Sequence, residues 1–363
     1  MGLLDVMRAY DYEQVIILNN NASGLRGFIV IHDTTRGPAL GGIRVRPYAD
    51  EEEALADGLR LARAMSYKAA MADLPCGGGK AVVMETSDWD REQAMRTLGR
   101  FIESLRGRFR TGRDLGLTEE DVRILREETR YVECEGSESD EYTALGVIEG
   151  MRACMDHLAG AAEPSAHPLS GITVAVQGVG RVGWAIVRRL SEAGAQVVVA
   201  DVDERRARAA ARAFGARVVS PEAIYEVSAD VFCPCAVGGV ITERTIGLLR
   251  ARVIAGSANN VLADDALGWT LRERGILYAP DYVINAGALI HGANVSLRGK
   301  RENEAEVRRI YERVREILAL AERQRMPTNL VADRLAESRL KAAKTYRDLF
   351  WGGVGDVSGG CCA

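Results

Sequence analysis

The stretch from Ile172 to Asp201 constrains this chain more than any other. An apolar run, ITVAVQ, leads into Gly178-Val179-Gly180-Arg181-Val182-Gly183, then an amphipathic segment, then QVVVAD closing on Asp201. GxGxxG alone is a weak signal. A strand before it, a helix after it and an acid ending the next strand make the context strong. Gly178 would form the tight turn, Gly180 would admit a pyrophosphate, and Gly183 would let helix and strand pack closely. The helix opening at Arg181 and Val182 would offer unpaired N–H groups and a favourable dipole to phosphate. Asp201 would accept hydrogen bonds from a ribose diol, which favours NAD over NADP. Arg205 and Arg206 are of the kind that receives a 2′-phosphate, so NADP use stays open. The plainer alternative is an α/β turn without a ligand.

Strand and helix patterns alternate from residue 172 onward, through DVFCPC, RVIAGSA and ILYAPDYVINAG, as a parallel α/β sheet requires. Upstream, 14–18 and 27–31 read as strands, 51–70 as a helix, 81–84 as a strand and 89–106 as a helix. Thr118-x-x-Asp121 reads as a capping box. The expected fold is α/β in two domains with a cleft between them: an N-terminal α/β catalytic domain and a C-terminal doubly wound Rossmann domain binding NAD. The expected limits are 1–138 for the catalytic and oligomerisation domain and 139–330 for the Rossmann domain. Residues 331–363 would return as a helix to the first domain and end in a flexible tail.

Composition narrows the function by exclusion. A net charge of −4 over 363 residues gives no footprint for nucleic acid or an anionic membrane. No apolar run is long enough to span a bilayer, and the N-terminus lacks the pattern of a secretory signal, so a cytoplasmic protein is expected. The seven cysteines show no metal-ligand spacing, and their odd number argues against a full disulfide framework. No metal is expected. The pair Cys361-Cys362 has no evident role.

The second informative stretch is Lys68 to Lys80, two lysines twelve residues apart, the second ending Gly77-Gly78-Gly79. Three residues without a β-carbon allow positive φ and close approach to a small ligand. A lysine in a dry pocket beside another would have its pKa lowered by desolvation and like charge, making it a usable base. A glycine turn between surface lysines is the alternative.

Taken with Gly37-Pro38-Ala39-Leu40-Gly41-Gly42 and Gly112-Arg113-Asp114-Leu115-Gly116, these segments resemble the Glu/Leu/Phe/Val amino-acid dehydrogenase family, close to its leucine and phenylalanine branch. The resemblance runs from about residue 11 to 348 and includes VAVQGVGRVG, CAVGGVI, VIAGSANN, YAPDYVINAG and PTNLVADRLAE. It implies that Lys68 binds the substrate carboxylate, Lys80 is the catalytic lysine, and Asp114 handles the amine proton. Gly41 and Gly42 would line the same pocket. Thr143, Cys235, Ala236, Asn260 and Asn285 would lie against the cofactor, Cys235 and Ala236 through backbone. It also implies a homo-oligomer of unstated size.

The implied reaction is NAD-dependent oxidative deamination of a hydrophobic L-amino acid to the 2-oxo acid and ammonia, and its reverse. Leu40 stands where glutamate-specific relatives carry lysine, and an unpaired substrate carboxylate there would cost several kcal/mol. Gly112, Leu289 and Gly292 point to a roomy pocket. Leucine, phenylalanine and other apolar substrates stay open, since a methylene is worth only ~1–3 kcal/mol. Two other readings remain: a specialised biosynthetic enzyme for tryptophan or a similar aromatic amino acid, and a noncatalytic NAD-binding module. Arg113, beside Asp114, is expected to lower that carboxyl's pKa.

Overall fold

The computed structural model describes residues 2–87, 89–133 and 138–344. Cys134 and the tail with Cys361 and Cys362 lie outside the described residues. The chain divides into two units, one formed by 1–136, 292–301 and 336–363, the other by 137–291 and 302–335.

The first unit runs α1 (Leu3–Tyr10), β1 (Gln14–Asn20), β2 (Leu25–Asp33), β3 (Ala39–Arg46), α2 (Glu51–Met71), β4 (Gly77–Met84), α3 (Arg91–Ser104), β5 (Phe109–Arg113) and α4 (Glu119–Glu128). Its sheet has the order β1-β2-β4-β3-β5, antiparallel from β1 to β4 and parallel from β4 to β5. Successive strand residues face opposite sides, and both sides here are covered. Ile29, Ile31, Ile43, Val45, Ala81 and Val83 pack with Met95, Leu98 and Ile102 of α3 and Leu125 of α4. Phe28, Val30, Val82 and Met84 pack with Ala54, Leu59 and Ala62 of α2. The Asp50 side chain caps α2 by accepting from the Glu53 N–H, and Thr118 with Asp121 forms the expected capping box on α4.

The triple glycine corrects one expectation. It is not a loop: Gly77, Gly78 and Gly79 open β4, all are buried, and none has positive φ. Strand propensity alone would not place glycine there. A methyl group on Gly78 would come 2.1 Å from Ser66 N of α2, and one on Gly77 would come 1.7 Å from Asp33 O of β2. The missing side chains let a helix and two strands close on one another, so the approach they permit is protein to protein.

The second unit runs α5 (Ser139–Leu158), β6 (Thr173–Gln177), α6 (Arg181–Glu192), β7 (Gln196–Ala200), α7 (Glu204–Phe214), β8 (Arg217–Val218), β9 (Val231–Pro234), α8 (Glu243–Leu248), β10 (Val253–Ile254), α9 (Leu267–Glu273), β11 (Leu277–Tyr278) and α10 (Asp281–Ile284). Next come α11 (Gly287–Arg298), α12 (Glu304–Arg308), α13 (Ile310–Gln324) and α14 (Thr328–Lys344), of which α11 and α14 are divided between the units. The sheet is all parallel in the order β11-β10-β9-β6-β7-β8. This is the Rossmann order, whose direction reverses between β6 and β9. No described helix is long and apolar enough to cross a membrane.

Candidate active site

Strand alternation assembles the charged centre of the first unit. On β4, Lys80 shares the side of Val82 and Gly78, the side covered by α2. Arg44 on β3 lies between Ile43 and Val45, which face α3, so it too projects toward α2. Asp114 follows the end of β5 on that side. Lys80 Nζ lies 2.8 Å from Asp114 Oδ2, and the same oxygen accepts from Arg44 Nε at 2.9 Å. The other end of Arg44 lies 3.2 Å from Asp57 Oδ2 on α2. Tyr48 Oη donates to that carboxylate at 2.9 Å, and Arg60 pairs with it at 2.7 Å.

The electrostatics follow from this arrangement. Lys80 is 5% exposed. Burial pushes its pKa down, Arg44 pushes the same way, and Asp114 opposes, leaving the amine below its ordinary value. Burial alone would raise the Asp114 carboxyl, but the Lys80 and Arg44 cations outweigh it and hold the group below the ordinary carboxylate value. Asp57 is likewise held down: burial pushes up, and Arg60, Tyr48 and Arg44 overcome it. The site therefore pairs a lysine held below its ordinary pKa with a carboxyl held below its own.

Lys68 occupies the last turn of α2, half-buried. Leu40 is buried on β3, on the same side as Arg44. Gly41 and Gly42 lie between neighbouring strands: a methyl on Gly41 would meet Gly79 O at 1.7 Å, and one on Gly42 would meet Asp114 Cβ at 2.9 Å. Gly112 is half-buried near the end of β5. Leu289 and Gly292 are three residues apart on α11 and share a helix face. A methyl on Gly292 would meet nothing within 4 Å.

In the second unit the glycine turn has three distinct geometries. Gly178 has φ +96°, and a methyl there would press on Ala236 Cβ at 2.8 Å. Gly180 caps α6 with nothing within 4 Å of a would-be methyl, so its backbone is open to an incoming group. Gly183 sits against Gly178 O, 2.2 Å from where its methyl would be, so α6 closes on the turn with no side chain between them. One Asp201 oxygen accepts from Val179 N–H at 2.7 Å and the other from Asp203 N–H at 2.8 Å. Asn285 is 6% exposed; its amide donates to Ser257 O and Asn259 Oδ1, while its Oδ1 is buried without a partner. An open glycine cradle at a helix N-terminus and a buried orphan acceptor fit a dinucleotide.

The Glu/Leu/Phe/Val dehydrogenase dimerisation domain matches residues 12–131, and the glutamate/leucine/phenylalanine/valine dehydrogenase domain matches residues 199–296. The chain belongs to this family. It is an amino-acid dehydrogenase, an oxidoreductase of a family that uses a nicotinamide cofactor. It is 44% identical over 358 residues to the leucine dehydrogenase of Thermoactinomyces intermedius, covering 96% of each chain. It is 43% identical over 350 residues to the L-tryptophan dehydrogenase of Nostoc punctiforme, covering 95% of this chain and 98% of that one. A crystal structure of L-tryptophan dehydrogenase from Nostoc punctiforme superposes with a TM-score of 0.84 at 42% identity, over 94% of this chain and 100% of that one.

The dehydrogenase departs from its sequence reading at one charge. Arg113 does not reach Asp114: its Nε donates to Leu117 O at 3.3 Å and its guanidinium pairs with Glu119. Arg44, unremarked in the sequence, does what Arg113 was expected to do. The signal was its place two residues after Gly42 on a strand beside β5. Thr143 Oγ1 donates to Ser139 O within α5 at 2.9 Å, and Asn260 is exposed at φ +51°. Arg205 and Arg206 both pair with Asp203 rather than lying unengaged.

Proposed function

We propose that the enzyme catalyses NAD-dependent oxidative deamination of a bulky apolar L-amino acid to its 2-oxo acid and ammonia, and the reverse reductive amination. The observation that carries this reading is the contact of buried Lys80 with half-buried Asp114, backed by Arg44. The nicotinamide, when bound, supplies the two-electron acceptor for the bond broken at the substrate α-carbon. Asp114, ionised in the resting site, accepts a proton from the substrate ammonium and is neutral until it passes that proton on, so that the amine nitrogen can donate electrons. Lys80, its pKa lowered, is neutral often enough to take a proton from the water that adds to the iminium carbon, and returns it as ammonia leaves. Lys68 pairs with the substrate carboxylate and fixes the α-carbon. Burial of Lys80 and Leu40 keeps the centre dry, which strengthens each of these charge interactions.

Gly178, Val179, Gly180, Arg181, Val182 and Gly183 would hold the pyrophosphate. Asp201 would hold the adenosine ribose and disfavour a 2′-phosphate by like charge, which with the engagement of Arg205 and Arg206 by Asp203 favours NAD over NADP. Asn285 Oδ1 would accept from the carboxamide, with Thr143, Cys235, Ala236 and Asn260 nearby. Leu40, Gly112, Leu289 and Gly292 would surround the side chain. The open space at Gly292 favours a large or aromatic substrate and keeps a specialised enzyme for tryptophan as the second reading. The buried free thiols of Cys76, Cys154 and Cys233 suit the cytoplasm, and the matched dimerisation domain suits a homo-oligomer.

NADH formation against L-Leu, L-Val, L-Ile, L-Phe, L-Trp and L-Glu, with NADP in parallel, tests the reading. Turnover should favour apolar side chains, with the kcat/KM ranking separating leucine from aromatics. Turnover of L-Glu alone, or none in a protein that binds NADH, would overturn it.

A further inference from the structure

We propose that Cys233 and Cys235 are an oxidative modification site: a peroxide closes them into an intramolecular disulfide that weakens dinucleotide binding. The proposal rests on the cofactor reading of the second unit.

Residues two apart on an extended strand face the same side, and Pro234 between them ends β9 at the reversal point of the sheet. The two sulfurs lie 3.4 Å apart. Cys233 is fully buried, whereas Cys235 is partly exposed beside the exposed stretch Ala236–Gly239. A hydrogen bond with Cys233, in which either thiol can donate, together with hydrogen bonds from Ser257, holds the Cys235 thiol below its ordinary value despite burial. Burial and the neighbouring sulfur hold the Cys233 thiol up. The pair thus sets a thiol of lowered pKa, in a partly exposed residue, against a fully buried thiol 3.4 Å away, the pairing that redox-responsive cysteines use.

The chemistry balances with a hydroperoxide as the sole oxidant. The Cys235 thiolate attacks a peroxide oxygen, an S–O bond forms, the O–O bond breaks, and hydroxide leaves as water after protonation. The Cys233 sulfur then attacks the sulfenic sulfur, an S–S bond forms, the S–O bond breaks, and a second water leaves with the Cys233 proton. Two thiols lose two electrons, and hydrogen peroxide gains them.

The sulfurs must close to about 2.05 Å. The Cys235 backbone is tied to β6, because its N–H donates to Gln177 O at 2.7 Å, at the end of that strand. Its neighbour Ala236 already fills the space beside Gly178, with Ala236 N 2.9 Å from a would-be methyl. A shift of the Cys235 backbone toward Cys233 would therefore be passed on to the turn that Gly178 makes.

The test titrates the intact protein with hydrogen peroxide. Peptide mapping under nonreducing conditions follows the loss of two hydrogens, and NADH fluorescence follows binding without substrate. A Cys233–Cys235 linkage should appear, distinct from any link at Cys361-Cys362. NADH affinity should fall about tenfold, equivalent to ~1.4 kcal/mol, and dithiothreitol should restore it. In Cys233→Ser, oxidation should stop at a dimedone-reactive Cys235 with no linkage. Absence of the linkage in the wild-type protein, or a linkage that leaves NADH affinity unchanged, overturns the proposal. If the reduced protein binds no NADH, the cofactor reading itself has failed and this proposal falls with it; loss of turnover with NADH binding intact would touch only the substrate chemistry.

Discussion

The two glycine clusters look alike in sequence and do opposite things. In the second unit, Gly178 and Gly180 shape a turn by their own conformation and openness, one at φ +96° and the other with empty space where a side chain would be. In the first unit, Gly77, Gly78 and Gly79 are ordinary extended residues whose missing side chains admit neighbouring elements. A local need is visible in a local motif. A packing need depends on which distant segment arrives, and no motif states it.

The strongest way to sharpen this contrast is Lys80→Ala. In the proposed mechanism it removes the base of the first unit and should lower kcat/KM by about 10³-fold, while NADH binding by the second unit is unchanged. Equal loss of NADH affinity would show that Lys80 acts through the fold instead.

Much of this was legible beforehand, and for the same reason. The dinucleotide turn, the Asp201 that receives its N–H group and the Thr118–Asp121 cap all involve residues close in sequence or in adjoining strands. The Arg44–Asp114 contact spans 70 residues and exists only because β3 lies beside β5 in the strand order. Arg113, adjacent in sequence, points to the opposite side of β5, as alternation demands. Adjacency in sequence was the wrong guide to proximity of charge.

The glycines themselves offer the most direct break. Gly78→Ala places a methyl 2.1 Å from the α2 backbone and should cost about 3 kcal/mol or more in urea unfolding. Gly180→Ala meets nothing and should leave the unfolding midpoint unchanged while weakening NADH binding by about tenfold. If both variants lost stability equally, or neither changed binding, the distinction between packing and cradle glycines would be wrong.

Acid should weaken the first unit through one buried histidine. His32 of β2 is 4% exposed, with Nδ1 2.8 Å from Ser66 Oγ and Nε2 3.1 Å from Tyr10 O. Burial pushes its pKa down from 6.5 to about 4. Because the folded value is the lower one, the unfolded chain binds the proton first. The stability this group contributes is complete above about pH 6.5, falls as pH drops toward about 4, and levels off below, a change of about 3 kcal/mol. Urea unfolding of the wild-type protein and His32→Gln across that window checks it: the variant should lose the added slope, and parallel slopes would refute the assignment.

The finest test concerns the charge that the sequence did not reveal. Arg44 supplies a second cation to Asp114 and opposes a proton on Lys80. Arg44→Met removes that opposition and leaves the whole Asp114 charge to Lys80, so the Lys80 pKa must rise. If neutral Lys80 is the form that promotes water addition, the acid limb of kcat/KM for amino-acid oxidation moves to higher pH, by about one unit. At a fixed pH on that limb, this is a tenfold loss of about 1.4 kcal/mol. Arg44→Lys keeps the charge while losing the fork that also reaches Asp57, and should recover most of the limb's position but less of the rate. A uniform fall in rate with an unmoved limb would mean that Arg44 only braces β3 against α2. A shifted limb that Arg44→Lys restores would make its charge part of the proposed mechanism.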